Sequence, residues 1–318
     1  MRTYINPVMK TGLSTFSLRD TNINSLDIFH KKMMKSILRL SVRAPTCSLY
    51  FLVSELPIKA QLHKDVFSLF YNVWANPKSK IHELVKYLLE ISNEKSHTWC
   101  VHVKHLCKMY DITDPLSLMH LSAPSKEAFK QYINTKILIY HERDQREKSK
   151  SYKSMKYLNT AVLGLSGTCH PAIQNVFTSN EVQIMRIHLK FLSGDYLSNE
   201  KLSRQGNHSP ICELCELEEE SYCHIITRCP VLNEPRIKLM KEIIDFCDKN
   251  AISFIHQIFL DNEKITQFVL DPTSLNLPLR MNPNDRNLPQ LFSICRNLCN
   301  SLHNMRMRKK KENIYKDT

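Results

Sequence analysis

Glycine is what this chain most conspicuously lacks. Five occur in 318 residues: Gly12, Gly164, Gly167, Gly194 and Gly206. Phosphate-cradling loops, tight hairpins and doubly wound sheets all need positions with positive φ, which glycine adopts at no steric cost. No G-x-G-x-x-G and no G-K-[ST] is present, which argues against a nucleotide-binding α/β domain. The remainder is rich in leucine, lysine and methionine. It is 42% apolar, enough to build real cores, and it points to a mainly α-helical chain of elongated bundles. The length suits two modest domains or one elongated one.

Periodicity places the helices. Thr21 or Asn22 can cap one running to about Leu40, with Ile23, Leu26, Phe29, Met33, Ile37 and Leu40 along one side. Lys31, Lys32, Lys35 and Arg39 gather on the other, a face suited to backbone phosphates. Leu49–Val53 is short enough for a strand or a buried turn. Further helices are expected over about 57–76, 80–92, 97–110 and 125–150, the last with a wholly polar tail. Residues 155–177 read as irregular or strand-like connection. Thr178-Ser-Asn-Glu181 is a capping box, and the helix it opens carries apolar residues on two sides with only Arg186 and Lys190 along its polar edge. Such a helix belongs between layers, as the central support of its domain. Helices over about 234–246, 252–260 and 288–308 complete the chain, with an extended loop over 271–289. Cys295, Cys299 and His303 follow helical spacing beside a leucine stripe and read as core. Arg306–Lys311 reads as a frayed basic tail. The expected division is 1–150, 151–250 and 251–318.

One motif carries chemistry. Cys212, Cys215, His224 and Cys229 form C-x2-C-x8-H-x4-C. Three thiolates and a neutral imidazole match one tetrahedral Zn2+, and four protein ligands leave no position for an activated water. That describes a structural site. Cys223 is the alternative to His224, because neighbours on a helix diverge by about 100° and only one can face the ion. Glu218-Glu-Glu220 beside the motif reads as a solvated turn. Net charge is +13, which favours a polyanionic partner, RNA, DNA or an acidic membrane surface. No apolar run approaches membrane-spanning length. The odd cysteine count, eleven, and an N-terminus without an apolar core point to a reducing, intracellular compartment, nucleus or cytoplasm.

The segment from His208-Ser-Pro-Ile-Cys212 through His224-Ile-Ile-Thr-Arg-Cys229-Pro230 to Arg236, with Arg186-Ile-His-Leu-Lys-Phe-Leu before it, resembles the C-terminal zinc-binding region of non-LTR (LINE-type) retrotransposon reverse transcriptases. Leu26–Arg39 and Leu56-Pro-Ile-Lys-Ala60 are similar to the region following the polymerase palm in those proteins. The resemblance implies RNA or DNA binding, with Cys212, Cys215, His224 and Cys229 as metal ligands. It does not extend to catalysis. No two aspartates are adjacent, so the polymerase signature is missing, and residues 235–318 yield no endonuclease set. The expectation is therefore a non-catalytic, zinc-dependent nucleic-acid-binding fragment of a reverse transcriptase-like protein, taking no small-molecule substrate. Its phosphate contacts would be Lys31, Lys32, Lys35, Arg39, Arg186 and Lys190. The alternative is a zinc-stapled helical scaffold for a protein partner.

Overall fold

The computed structural model describes residues 20–93, 95–160, 169–206, 208–250, 255–274 and 287–314. Among them the regular structure is helical, and the one β interaction is an isolated antiparallel bridge between Ile211 and Glu219. The helices are α1 (Asp20–Ile37), α2 (Thr46–Val53), α3 (Ile58–Trp74), α4 (Lys80–Ile91), α5 (Trp99–Met109), α6 (Pro115–Met119), α7 (Lys126–Lys150), α8 (Ser179–Leu192), α9 (Asn199–Ser203), α10 (Asn233–Lys249), α11 (Ile255–Ile258), α12 (Asn262–Leu270) and α13 (Asn287–Ile314). They form two compact units. One is built from residues 20–33 and 55–147, the other from 34–54 and 148–314.

Scarce glycine leaves its mark at the helix ends. Arg39, Ser54 and Asp111 take φ of 54°, 50° and 53° just past α1, α2 and α5, a left-handed step that more often falls to glycine. After α1 the Leu40 N–H returns to the Lys35 carbonyl at 2.9 Å, and after α5 Ile112 returns to Cys107 at 2.9 Å. Both are the six-to-one closures of a Schellman end. Gly194, just past α8, is irreplaceable for two reasons. Its φ is +69°, and a Cβ there would lie 2.5 Å from the Ser154 side chain.

In the first unit an aromatic cluster joins α3 to α7. Tyr71 and Phe129 stack with centroids 5.2 Å apart, and Trp74 donates its indole N–H to the Leu121 carbonyl at 2.9 Å. Inside the same unit His63 Nδ1 lies 2.6 Å from the Tyr110 hydroxyl, which lies 3.1 Å from His141 Nε2. Thr98 and Ser79 cap α5 and α4 with side-chain oxygens, as hydroxyl residues at helix starts do.

In the second unit α8 packs against α13, and α13 also lies along α10. The Thr178–Glu181 capping box forms in full. Along α13, Leu291, Phe292, Cys295, Leu298, Cys299 and Leu302 are all buried, so both cysteines are core residues. Every cysteine of the chain is a free thiol.

Several expectations need correction. Leu49–Val53 is part of α2, whose residues Cys47–Leu52 are all buried; a short apolar run looks alike as strand or enclosed helix. α6 and α12 were not expected, the first because five residues carry no period, the second because it sits beside the Pro- and Asn-rich stretch. The described parts of 155–177 are irregular, one of the two forms expected, with 3-10 turns (Pro171–Ile173 among them), and 161–168 and 275–286 lie outside the described residues. The C-terminal extension is not separate: α13 packs on α8 and α10, and it runs through the supposedly frayed Arg306–Lys311.

Candidate metal centre

The two halves of the cysteine–histidine motif reach the same point by different local geometries. Cys212 and Cys215 sit on a reversal of the chain. The Cys212 N–H bonds the Glu218 carbonyl at 2.9 Å, the Glu216 N–H returns to the Cys212 carbonyl at 2.8 Å, and Glu216 takes φ of 57°. His224 and Cys229 sit on a π-helical turn, His224–Arg228, closed by the Cys229 N–H on the His224 carbonyl at 2.8 Å. In an α-helix residues five apart point about 140° from each other. The wider i to i+5 closure brings them towards one side. This is how an H-x4-C spacing converges.

The donor atoms of Cys212, Cys215, His224 and Cys229 all lie within 4.8 Å of one another. Cys212 Sγ is 4.0 Å from Cys229 Sγ, and Cys215 Sγ is 3.5 Å from His224 Nε2. A tetrahedral ion bonded at ~2.3 Å to sulfur and ~2.0 Å to nitrogen requires edges of about 3.8 and 3.5 Å. These four residues can therefore hold a metal ion. Cys223 is turned away, its Sγ 3.5 Å from Thr227 Oγ1, so the cluster uses His224.

Electrostatics fit a cation. The Cys212 thiol is pushed up to about 12, first by its bond to Cys229 and then by burial, while the same bond holds Cys229 below its ordinary value. Two crowded sulfurs share one proton; only a positive charge between them lets all ionise. His224 Nδ1 lies 2.9 Å from Glu218 Oε1, and Glu218 Oε2 is 3.0 Å from Arg228 Nη1. A carboxylate behind the ring is the usual way a metal-bound histidine is oriented.

Side chains that spacing did not reveal hold the cluster in place. Arg236, on α10 and buried, donates to the carbonyls of Ile226 at 2.8 Å, Ile225 at 3.2 Å and Cys229 at 2.9 Å. It satisfies the π-turn's open end. Glu220 is fully buried, not part of a solvated turn as the acidic run suggested. Its oxygens accept from Arg306 Nε at 2.8 Å and Nη2 at 2.6 Å, and from the Asn199 N–H at 2.8 Å. Lys310 reaches Glu213 at 2.8 Å beside it. The basic end of α13 thus straps the ligand loop. The signal in the sequence was an acidic run and a basic run of opposite charge, too far apart in the chain to pair by inspection.

The six expected phosphate contacts are divided between the two units. Lys35 leaves the set: the residue is buried, and its ammonium donates to the carbonyls of Val42 at 2.6 Å and Ala44 at 2.5 Å in the loop between α1 and α2. Lys31 pairs with Asp27, and Lys32 is exposed; both belong to the first unit. Arg39, Arg186 and Lys190 belong to the second. The Ser41 N–H bonds Asp195 Oδ2 at 2.7 Å, tying the segment after Arg39 to the end of α8. Arg186 is lowered first by burial and then by repulsion from Arg39. Lys190, one turn along α8 from Arg186, adds its charge to the depression of His303.

No family model, curated protein or solved structure matches this chain. Among the described residues no helix is long and apolar enough to cross a membrane.

Proposed function

We propose that the chain is a non-catalytic nucleic-acid-binding module organised by one structural zinc, and a fragment of a protein of the non-LTR reverse transcriptase kind. The observation that carries this is the convergence of three sulfurs and one imidazole nitrogen at tetrahedral spacing inside a chain of net charge +13. Sulfur-rich, four-donor sites of this geometry select zinc, and a full shell leaves no open position for catalysis. Arg39, Arg186 and Lys190, drawn together on the second unit, supply phosphate contacts, with Lys32 on the first. The resemblance of residues 186–236 to the zinc-binding region of those reverse transcriptases supports the same reading.

The test pairs metal analysis with binding to RNA, single-stranded DNA and duplex DNA across a salt series. One zinc per chain and an affinity that falls steeply with salt are expected. Absence of stoichiometric zinc, or of nucleic-acid affinity at physiological salt, defeats the proposal. A scaffold role is the second reading, favoured by Ile81, Leu84, Tyr87 and Ile91, which form an exposed apolar stripe along α4. Retention of a protein partner by a chain that ignores nucleic acid would favour it.

A further inference from the structure

A cleft of about 470 Å³ opens beside the ligand loop, entirely within the second unit. Its walls are the turn carrying Lys153 and Ser154, the outer face of α9, the loop residue Glu219 and the first turn of α12. Buried Tyr157 and Tyr222, near-parallel with centroids 6.3 Å apart, form its floor. The volume is within the range of small-ligand pockets.

Four cations and three carboxylates line this space. Most are already engaged. Lys156 Nζ and the Tyr157 hydroxyl share Glu263 Oε2 at 3.1 and 2.9 Å, Arg204 pairs with Glu200, and Lys201 Nζ bonds the Gly194 carbonyl at 2.6 Å. Lys153 and Glu219 are the charged ends left over, one of each sign. A bare polyanion would meet the carboxylates as well as the lysines, and an apolar ligand would strand both. A ligand with an anionic group beside hydroxyl donors meets every wall.

The geometry points to this cleft as the seat of one ribonucleotide unit, its phosphate on Lys153 and its ribose 2′-hydroxyl donating to Glu219. The assignment rests on the nucleic-acid reading above and gives it a preference for RNA. A deoxyribose leaves the Glu219 carboxylate facing carbon, and sites that bond a hydroxyl reject the analogue without it.

Zinc-loaded full chain is titrated against a labelled oligouridylate, its deoxyuridine counterpart and its 2′-O-methyl counterpart, with free uridine monophosphate as a fourth arm. RNA is expected to bind about tenfold tighter than either analogue, the effect of one charge-assisted hydrogen bond. Glu219→Gln should bring that ratio towards one while DNA affinity holds, and Lys153→Ala should weaken RNA and DNA alike. Both side chains are exposed, and unchanged zinc content and melting temperature establish that the variants fold. Equal RNA and DNA affinity, or an RNA preference untouched by Glu219→Gln, overturns the cleft and leaves the nucleic-acid module standing. Saturable binding of the mononucleotide, lost in Lys153→Ala, in a chain that binds no oligomer upholds the cleft and removes the module. Loss of a protein partner from these variants, with nucleotides bound as before, overturns it.

Discussion

Glu216 occupies a left-handed position, φ 57°, one residue past Cys215, and it is exposed. An L side chain there carries a steric cost that glycine avoids, partly offset by glycine's freer unfolded chain. Glu216→Gly should raise the stability of the zinc-loaded protein by about 0.5–1 kcal/mol, read as a higher denaturation midpoint at unchanged slope. A lowered midpoint would mean that the reversal is set by something other than backbone strain. Cys223 and Cys229 offer a sharper contrast at the same scale. Cys223 Sγ faces Thr227, whereas Cys229 Sγ faces Cys212. Cys229→Ser should abolish stoichiometric zinc and loosen the surrounding segment, since structural zinc contributes of order 10 kcal/mol. Cys223→Ser should retain the metal. Loss of zinc from both variants alike would put Cys223 back among the ligands.

The strap made by α13 belongs to the element. Glu220 and Arg306 form a buried, doubly bonded pair, and Cys212 Sγ lies 3.9 Å from the same carboxylate. Removing one partner of such a pair costs about 3–5 kcal/mol, because the other charge stays buried alone. Arg306→Met should therefore destabilise the ligand loop by about that much, and Glu220→Gln in the same chain should recover part of the loss. Hydrogen exchange across 196–232 would report both. Equal protection in parent and single variant would mean that α13 does not hold the loop. The strap also marks where legibility in the sequence ended. The helices with strong caps were readable: Thr178 with Glu181, and Ser125, stand where a side-chain oxygen meets a helix start. Three of the four donors were readable from spacing, because a metal cluster is local in the chain; the choice of His224 over Cys223 needed the turn itself, which faces Cys223 Sγ to Thr227. The clasp was not. Glu220 and Arg306 are ordinary charged residues in runs that look solvated, and only tertiary packing makes them partners. Lys35 misled for a related reason: a helical wheel shows which side a lysine leaves from, not that the loop after the helix will fold back over its ammonium.

At the scale of the whole molecule the dominant quantities are charge and its change with pH. A chain already at +13 carries fourteen histidines, so acid adds repulsion everywhere. The largest effects come from histidines that the fold keeps neutral. His188, fully buried on α8, is lowered to about 3, first by burial, although its Nε2 bond to the Leu270 carbonyl at 2.8 Å works the other way. His63 in the other unit is held well below its ordinary value, again first by burial and then by neighbouring positive charge. A depressed histidine means that the unfolded chain binds the proton more readily. Stability is then whole above about 6.5, the unfolded value, and drains away as pH falls towards the folded one. For His188 alone the loss at pH ~5 is about 2 kcal/mol. Asp271, held below the usual carboxylate range against its own burial by His170 and Thr273, stabilises above about 3.8, so its loss begins lower than this window. Each unit should therefore weaken between pH ~7.5 and ~5, the first through His63 and the second through His188 together with His303, which burial first lowers to about 4. His188→Gln keeps an N–H for the Leu270 carbonyl and has no proton to gain. It should lower stability at neutral pH yet flatten the acid slope of the second unit, measured by segment-resolved hydrogen exchange with urea unfolding at both pH values. Acid release of a metal acts on parent and variant alike, so it cancels in the comparison. Parallel slopes for parent and His188→Gln would show that the acid sensitivity lies elsewhere, and the same experiment with His63→Gln reads the first unit independently.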